Sequence, residues 1–423
     1  MNKNIYDSYV KILNEELLPA MGCTEPISLA YAASIARDVL GVMPSFVEIE
    51  VSGNILKNVK SVVVPNTGGL KGVIAAVAAG LVANAPDKKL QVLSTLSEDQ
   101  QKEIRALLDT ASFSVVNSNS GCVFDIKISV SYDNSSASVR IEGHHTNVVS
   151  IEKDGEKIYE KTAVFTPEKL TDRSILNVKD IVSFVDSLDV NDVKDVIKRQ
   201  IEYNSAIAEE GLTNKYGASI GQILLKSFGD SVNTLAKATA SAGSDARMNG
   251  CSLPVVIVSG SGNQGMTASL PVIVYAKHLN VSEEMLIKAV TLSDLITIHL
   301  KTGIGRLSAY CGAVSAGAGA GAGICYLYGG RYEWVAHTIV NTLAISSGII
   351  CDGAKSSCAA KIASSVEAGI LGMEMYRNGS EFLGGDGILV KGVENTIDNV
   401  GVLARIGMQS TDEEIIKLMI KNL

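Results

Sequence analysis

The sequence predicts an α+β protein in which an α+β domain is inserted into a mainly helical one. Apolar residues recur at helical spacing near both ends of the chain, and between about Phe46 and Glu160 the period changes to strict alternation. At 423 residues the chain also exceeds the size at which a single core usually stops growing. We therefore expect a helical domain formed by residues 1–45 and 175–423, with an α+β domain at 46–174.

Each element follows from local pattern. Tyr6 to Leu18 and Ile27 to Leu40 read as two helices joined by Pro19-Ala20-Met21-Gly22-Cys23-Thr24-Glu25-Pro26. Alternation in Val47 to Val51, Asp125 to Ser131 and Ser138 to Glu142 predicts half-buried strands, largely antiparallel. Leu70 to Ala83 and Ser97 to Asp109 are the helices that would cover them. After a polar connector around Lys161 to Asn177, helices are expected at Ile181 to Leu188, Asn191 to Ala208, Gly217 to Phe228, Ser282 to Leu300, Arg331 to Ile345 and Glu413 to Lys421. The glycine-alanine alternation from Gly317 to Gly323 lies inside an apolar run, where it lets helix backbones approach closely.

Composition excludes several classes. With 37 basic against 45 acidic residues and no basic stripe, nucleic acid is not an expected partner. The first residues lack the continuous apolar stretch of a secretory signal, so a cytoplasmic protein is expected. Met248 to Ala276 and Leu307 to Gly330 carry only Arg-free, Lys-free and acid-free side chains, which raises a membrane transporter as an alternative. Against it, the second run is mostly glycine, alanine and serine, and the first is broken by Pro254, Pro271 and a polar segment.

Seven cysteines at irregular spacing do not form a disulfide framework, leaving burial, metal binding or catalysis. Cys23 directly precedes Thr24 and Pro26, a helix-starting pattern in which the dipole favours a thiolate able to act as nucleophile or general base. The same pattern also suits a capped helix with a passively buried cysteine. Cys311, Cys351 and Cys358 form the second constellation, since thiolates are the ordinary ligands of iron-sulfur clusters. One straight helix would put Cys351 and Cys358 about 10 Å apart in rise, so the chain must bend, and Asp352-Gly353 is the credible bend. Three ligands leave one iron open to act as a Lewis acid. Cys325, Cys122 and Cys251 are expected to be structural. Polar groups set among glycines, including Asn54, Asn66, His145, Arg247, Asn263 and Gln264, suit recognition of a small carboxylate, and each is also an ordinary turn residue.

Taken together, the Pro19 to Pro26 stretch, Ser244-Asp245-Ala246-Arg247-Met248, Gly260 to Gly265, Arg306-Leu307-Ser308-Ala309-Tyr310-Cys311-Gly312 and Cys351 to Cys358 resemble the L-cysteine desulfidases. That family is related to the α chain of the iron-sulfur L-serine dehydratases. The resemblance spans essentially the whole chain. It implies a 4Fe-4S cluster held by Cys311, Cys351 and Cys358, Cys23 as proton acceptor, and release of sulfide, ammonia and pyruvate from L-cysteine. Some serine dehydratases place a C-terminal cysteine on the open iron, whereas no cysteine follows Cys358 here. The partners so implied are a small amino-acid substrate and further copies of the chain in a homo-oligomer, with no nucleic acid and no membrane. L-serine or L-threonine dehydration on the same cluster is the alternative activity, and a cluster-binding sensor the alternative of another class.

Overall fold

The computed structural model describes residues 2–21, 24–118, 120–122, 124–161, 170–305 and 308–420. Cys23, Arg306, Leu307 and about half of the polar connector therefore lie outside the described residues.

The chain opens with α1 (Lys3–Glu16), capped by the Asn2 side chain, then β1 (Pro19–Met21) and α2 (Thr24–Leu40). The strand-rich segment contains β2 (Phe46–Val51), α3 (Gly53–Val59), α4 (Gly72–Ala83), α5 (Glu98–Thr110), β3 (Ser112–Asn117), β4 (Asp125–Tyr132), β5 (Ser135–Glu142), β6 (Val148–Lys153) and β7 (Glu156–Glu160). The sheet runs β3-β2-β4-β5-β6-β7. Only the β2–β3 pair is parallel, because the chain between those strands crosses over through helices.

Alternation puts Val47, Ile49, Ile126, Ile128, Val139 and Ile141 on the buried face. That face is covered by α2 and, beyond it, α4. The structure thus parts the two N-terminal helices. We expected both to lie on the C-terminal helices, but α2, from Ile27 to Leu40, belongs to the core of the sheet. The cause is the composition of α2: it is apolar nearly all round, so it can be buried between a sheet and a second helix. Each fully buried leucine or isoleucine there contributes about 1.5–3 kcal/mol.

A second and larger core gathers Tyr9, Ile12, Leu13 and Leu17 from the N-terminus with the C-terminal helices. Those helices are α6 (Val178–Ser187), α7 (Lys194–Thr213), α8 (Ile220–Phe228) and α9 (Val232–Met248), then, after β8 (Pro254–Val256), α10 (Gly262–His278), α11 (Glu283–Ile304), α12 (Gly312–Leu327), α13 (Tyr332–Ser346), α14 (Cys358–Arg377), α15 (Val393–Val402) and α16 (Gln409–Ile420). At the centre of this core lies α12, the glycine-alanine helix. A methyl group on Gly317 would sit 2.3 Å from the Ser365 carbonyl oxygen of α14, and one on Gly319 would sit 2.5 Å from the Ser293 carbonyl oxygen of α11. Small residues are required because three helix backbones meet there.

Among the described residues no helix is long and apolar enough to cross a membrane. The charge-poor run starting at Met248 resolves into β8 and α10, whose Pro271 lies inside the helix. Two ties join the cores near one end. β1 pairs antiparallel with β8, Pro19 opposite Val256 and Met21 opposite Pro254. At the other tie, α16 lies on α3, where Lys57 pairs with Asp412, the Lys60 ammonium donates to the Met419 carbonyl and Ile416 packs on Gly53.

Candidate active site

One cavity of about 160 Å³ opens where these two ties bring the cores together. Its cysteine wall is built by the backbone. Tyr310 and Ile350 form an antiparallel bridge, so the Cys311 N–H donates to the Ile349 carbonyl at 3.1 Å and the Cys351 N–H donates to the Ala309 carbonyl at 2.6 Å. This fixes Cys311 and Cys351 on neighbouring strands despite the long stretch of sequence between them. Tyr310 anchors the bridge from below, buried, with its hydroxyl 3.1 Å from Ser347 Oγ.

The chain then turns at Gly353, whose φ of +92° lies in the left-handed region that glycine tolerates at little cost. Space alone would enforce glycine there, since a Cβ would lie 1.9 Å from the Lys57 carbonyl oxygen. The turn delivers Cys358 as the first residue of α14, with its thiol 3.6 Å from the Gly353 carbonyl oxygen. Cys311 is likewise the residue that caps α12. All three cysteines line the cavity.

Burial, then the neighbouring Cys351 sulfur, pushes the Cys311 thiol up to about 12, and burial also raises Cys358. Without a cation these two sulfurs hold their protons; a metal would displace them as it binds. Among the described residues no three His, Cys, Asp or Glu side chains converge on a point that would hold a single metal ion. An iron-sulfur cluster makes a different demand, because its thiolates bind separate irons. Three partly buried thiols lining one cavity, with the Cys351 and Cys358 sulfurs near enough to act on Cys311, are a donor set that fits such a group.

The rest of the lining carries charge and amides. Arg247, near the end of α9, reaches Asn263 Oδ1 at 3.3 Å through its Nη1. Asn263 and Gln264 stand in the first turn of α10, which Ser261 caps through the Gln264 N–H. Lys301, on α11, is almost fully buried; burial brings its ammonium down to about 8 although the nearby Cys351 and Cys311 act to raise it. From the sheet side come Glu25 at the start of α2, and Lys57 and Asn58 on α3.

Of the polar residues singled out from sequence, Arg247, Asn263 and Gln264 line the cavity with the three cysteines. Asn54, Asn66 and His145 do not. Asn66 uses its amide to donate to the Leu93 carbonyl at 3.0 Å from a positive-φ turn, and the His145 carbonyl accepts from Ser28 while its ring meets Phe124 edge-on. Asn54 sits on α3, the helix of Lys57 and Asn58, but is not among the lining residues. Cys23 lies outside the described residues. Glu25, Lys57, Asn58 and Lys301 were not anticipated. Glu25 carried a signal in its place two residues after Cys23, whereas the two lysines had none. Cys325 is buried in α12, as core packing requires.

The chain falls among the serine dehydratase-like lyases, a family known to bind an iron-sulfur cluster. A family model described as the serine dehydratase alpha chain matches residues 87–417, and the chain belongs to that family. It is also 55% identical to a UPF0597 protein of Desulfitobacterium hafniense over 98% of this chain and 97% of the relative. UPF0597 proteins of Lachnoclostridium phytofermentans and Treponema denticola are 50% and 46% identical, over 98% and 100% of this chain and the full length of each relative.

Proposed function

We propose that this protein is an L-cysteine desulfidase, which removes sulfide from L-cysteine by a cluster-dependent β-elimination. The observation that carries the reading is the gathering of Cys311, Cys351 and Cys358 on the lining of a small cavity that Lys57, Arg247 and Lys301 also line. Those three residues would hold a 4Fe-4S cluster. When bound, that group supplies a Lewis acid that polarises the leaving group.

The chain's own residues do the rest. Arg247 and Lys301 offer positive charge to the substrate carboxylate, the guanidinium held in place by Asn263. The thiolate of Cys23 takes the proton from the substrate α-carbon, a role that requires it to face the same cavity. The aminoacrylate that leaves becomes pyruvate and ammonia in water. In this reading two working units meet at the cavity, α1 with the C-terminal helices on one side and α2 with the sheet and its covering helices on the other.

The family's description favours L-serine as the alternative substrate. The deciding experiment measures sulfide release from L-cysteine beside pyruvate formation from L-serine, on protein reconstituted anaerobically with iron and sulfide. Sulfide release that disappears in Cys23→Ala with the cluster absorbance intact supports the proposal. Turnover of L-serine without sulfide from L-cysteine would replace it with the dehydratase.

A further inference from the structure

We propose that the face formed by α8 and the adjoining ends of α9 and α10 is where a second copy of this chain docks, with Phe228 of each copy entering a cavity of the other. That face shares no lining residue with the cysteine cavity, so the docking stands or falls independently of the reaction proposed there.

α8 carries five large apolar side chains in nine residues, Ile220, Ile223, Leu224, Leu225 and Phe228, yet its one buried residue is Gly221. Gly221 packs on α9, where a methyl group would meet the Ala238 carbonyl oxygen at 2.6 Å. None of the five larger side chains joins either hydrophobic core. Ile220, Ile223, Leu224 and Phe228 stand three and four residues apart and so share one face of the helix. Phe228 is 70% exposed and Ile223 49%. A contiguous apolar stripe left in water, unlike a single exposed side chain, marks an interaction surface.

A recess lies beside this protrusion. Two residues after Phe228, Asp230 stands on the rim of a cavity of about 700 Å³ walled by α7, α9 and α10. Leu212, Val232, Leu235, Leu270, Ile273 and Val274 line it. Cavities of about 300–1,000 Å³ enclose whole small molecules, so an aromatic ring and the helix end that carries it can be accommodated. An exposed aromatic and an aliphatic recess on one face suit a two-fold interface, because each copy offers the other what it lacks.

The charges on the rim favour the same occupant. Glu209 of α7 and Asp230 supply acid, and Lys277 and His278 of the last turn of α10 supply base. Among the described residues none of these four side chains forms an ion pair or a hydrogen bond. A two-fold axis lays the acidic side of one rim on the basic side of the other. A rim of both signs therefore matches a reversed copy of itself, whereas a small anion or cation would meet like charge on part of it.

Sedimentation velocity of the full chain over a range of concentrations tests the docking. The wild type should sediment as a dimer. Phe228→Asp should raise the dimer dissociation constant at least about 30-fold, the loss expected for a central aromatic anchor, and Phe228→Leu should fall between the two. Because Phe228 is exposed in the single chain, circular dichroism of both variants should match the wild type. Lys277→Glu with His278→Glu should also weaken the dimer. Adding Glu209→Lys and Asp230→Lys to that pair should restore it, since the inverted rim again matches itself, a rescue that a folding defect would not show. A monomeric wild type at every concentration, or a dimer that Phe228→Asp leaves intact, would overturn the proposal. Should Phe228→Asp fail to fold, Ile223→Asp on the same stripe and the rim inversion decide.

Discussion

The ion pair between Lys57 and Asp412 makes a prediction that separates its role from ordinary surface electrostatics. Lys57 is buried to 1% side-chain exposure, while Asp412, on the last helix, keeps 20%. Asp412→Asn would leave an ammonium inside the protein facing Lys301, whose own ammonium already feels Lys57 as a like charge. Removing one partner of a fully buried pair costs about 3–5 kcal/mol, and the partial exposure of Asp412 lowers the expectation to about 2 kcal/mol. The cost should fall locally, because α16 is fastened to α3 by this pair, by Lys60 on the Met419 carbonyl and by Ile416 on Gly53. Hydrogen exchange should therefore show the amides of α16 and α3 opening together in Asp412→Asn, with those of α12 unchanged. Lys57→Met combined with Asp412→Asn should recover most of the loss, since no charge is then stranded. If the two single losses simply add in the double variant, or α16 keeps its protection in Asp412→Asn, the pair does not fasten the helix and the reasoning is wrong.

Other consequences are equally direct. Cys351→Ser should leave the fold intact, because Cys351 is only half-buried, yet lower bound iron and abolish turnover; iron analysis of reconstituted protein checks both. Asp294, fully buried with Gln200 as its hydrogen-bond donor, has its carboxyl raised to about 8 by loss of solvent. Folded protein then keeps a proton that unfolded protein releases near about 4, so this residue's contribution is complete below that pH and declines as pH rises towards 8. Asp294→Asn should flatten that decline, measured as urea midpoints at several pH values. Gly321→Ala should destabilise the protein by about 1–2 kcal/mol, because overpacking outweighs the helix propensity gained: the new methyl would lie 2.6 Å from the Gly369 carbonyl oxygen. Its denaturation midpoint reads the sign.

Local pattern made much of the fold legible and left the rest hidden for identifiable reasons. Alternation found β2, β4 and β5, whose inner faces are buried and whose outer faces meet water. It did not find β3, where Ser112 to Asn117 lies at the sheet edge with no residue fully buried, nor the hairpin of β6 and β7, which has no fully buried residue either. A strand that buries neither face leaves no period to detect. Periodicity also cannot say which core an apolar helix joins, and α2 was misplaced for that reason. The bend at Gly353 was legible from the reach of a helix, since two cysteines seven residues apart cannot share a site along one straight axis.

The residues that stayed hidden at the cavity are those whose role depends on where a helix is docked and not on what it contains. Lys57 sits in a short helix of ordinary composition, and nothing in Gly53-Asn54-Ile55-Leu56-Lys57-Asn58-Val59 marks it as buried. Its burial follows from contacts remote in sequence: the Gly353 turn packs against its carbonyl and Asp412 of α16 neutralises its ammonium. The cysteine loop and the C-terminal helix thus grip α3 from two sides. Gly353 serves the bend between Cys351 and Cys358 and also the approach of α3, so any larger residue there would push Lys57 and Asn58 away from the thiols. The spacing of the cysteines and the position of the polar wall are therefore set by one close contact. This is why a substitution at Gly353 should disturb both the cysteines and the charged residues of the lining, although the residue carries no side chain with which to touch either.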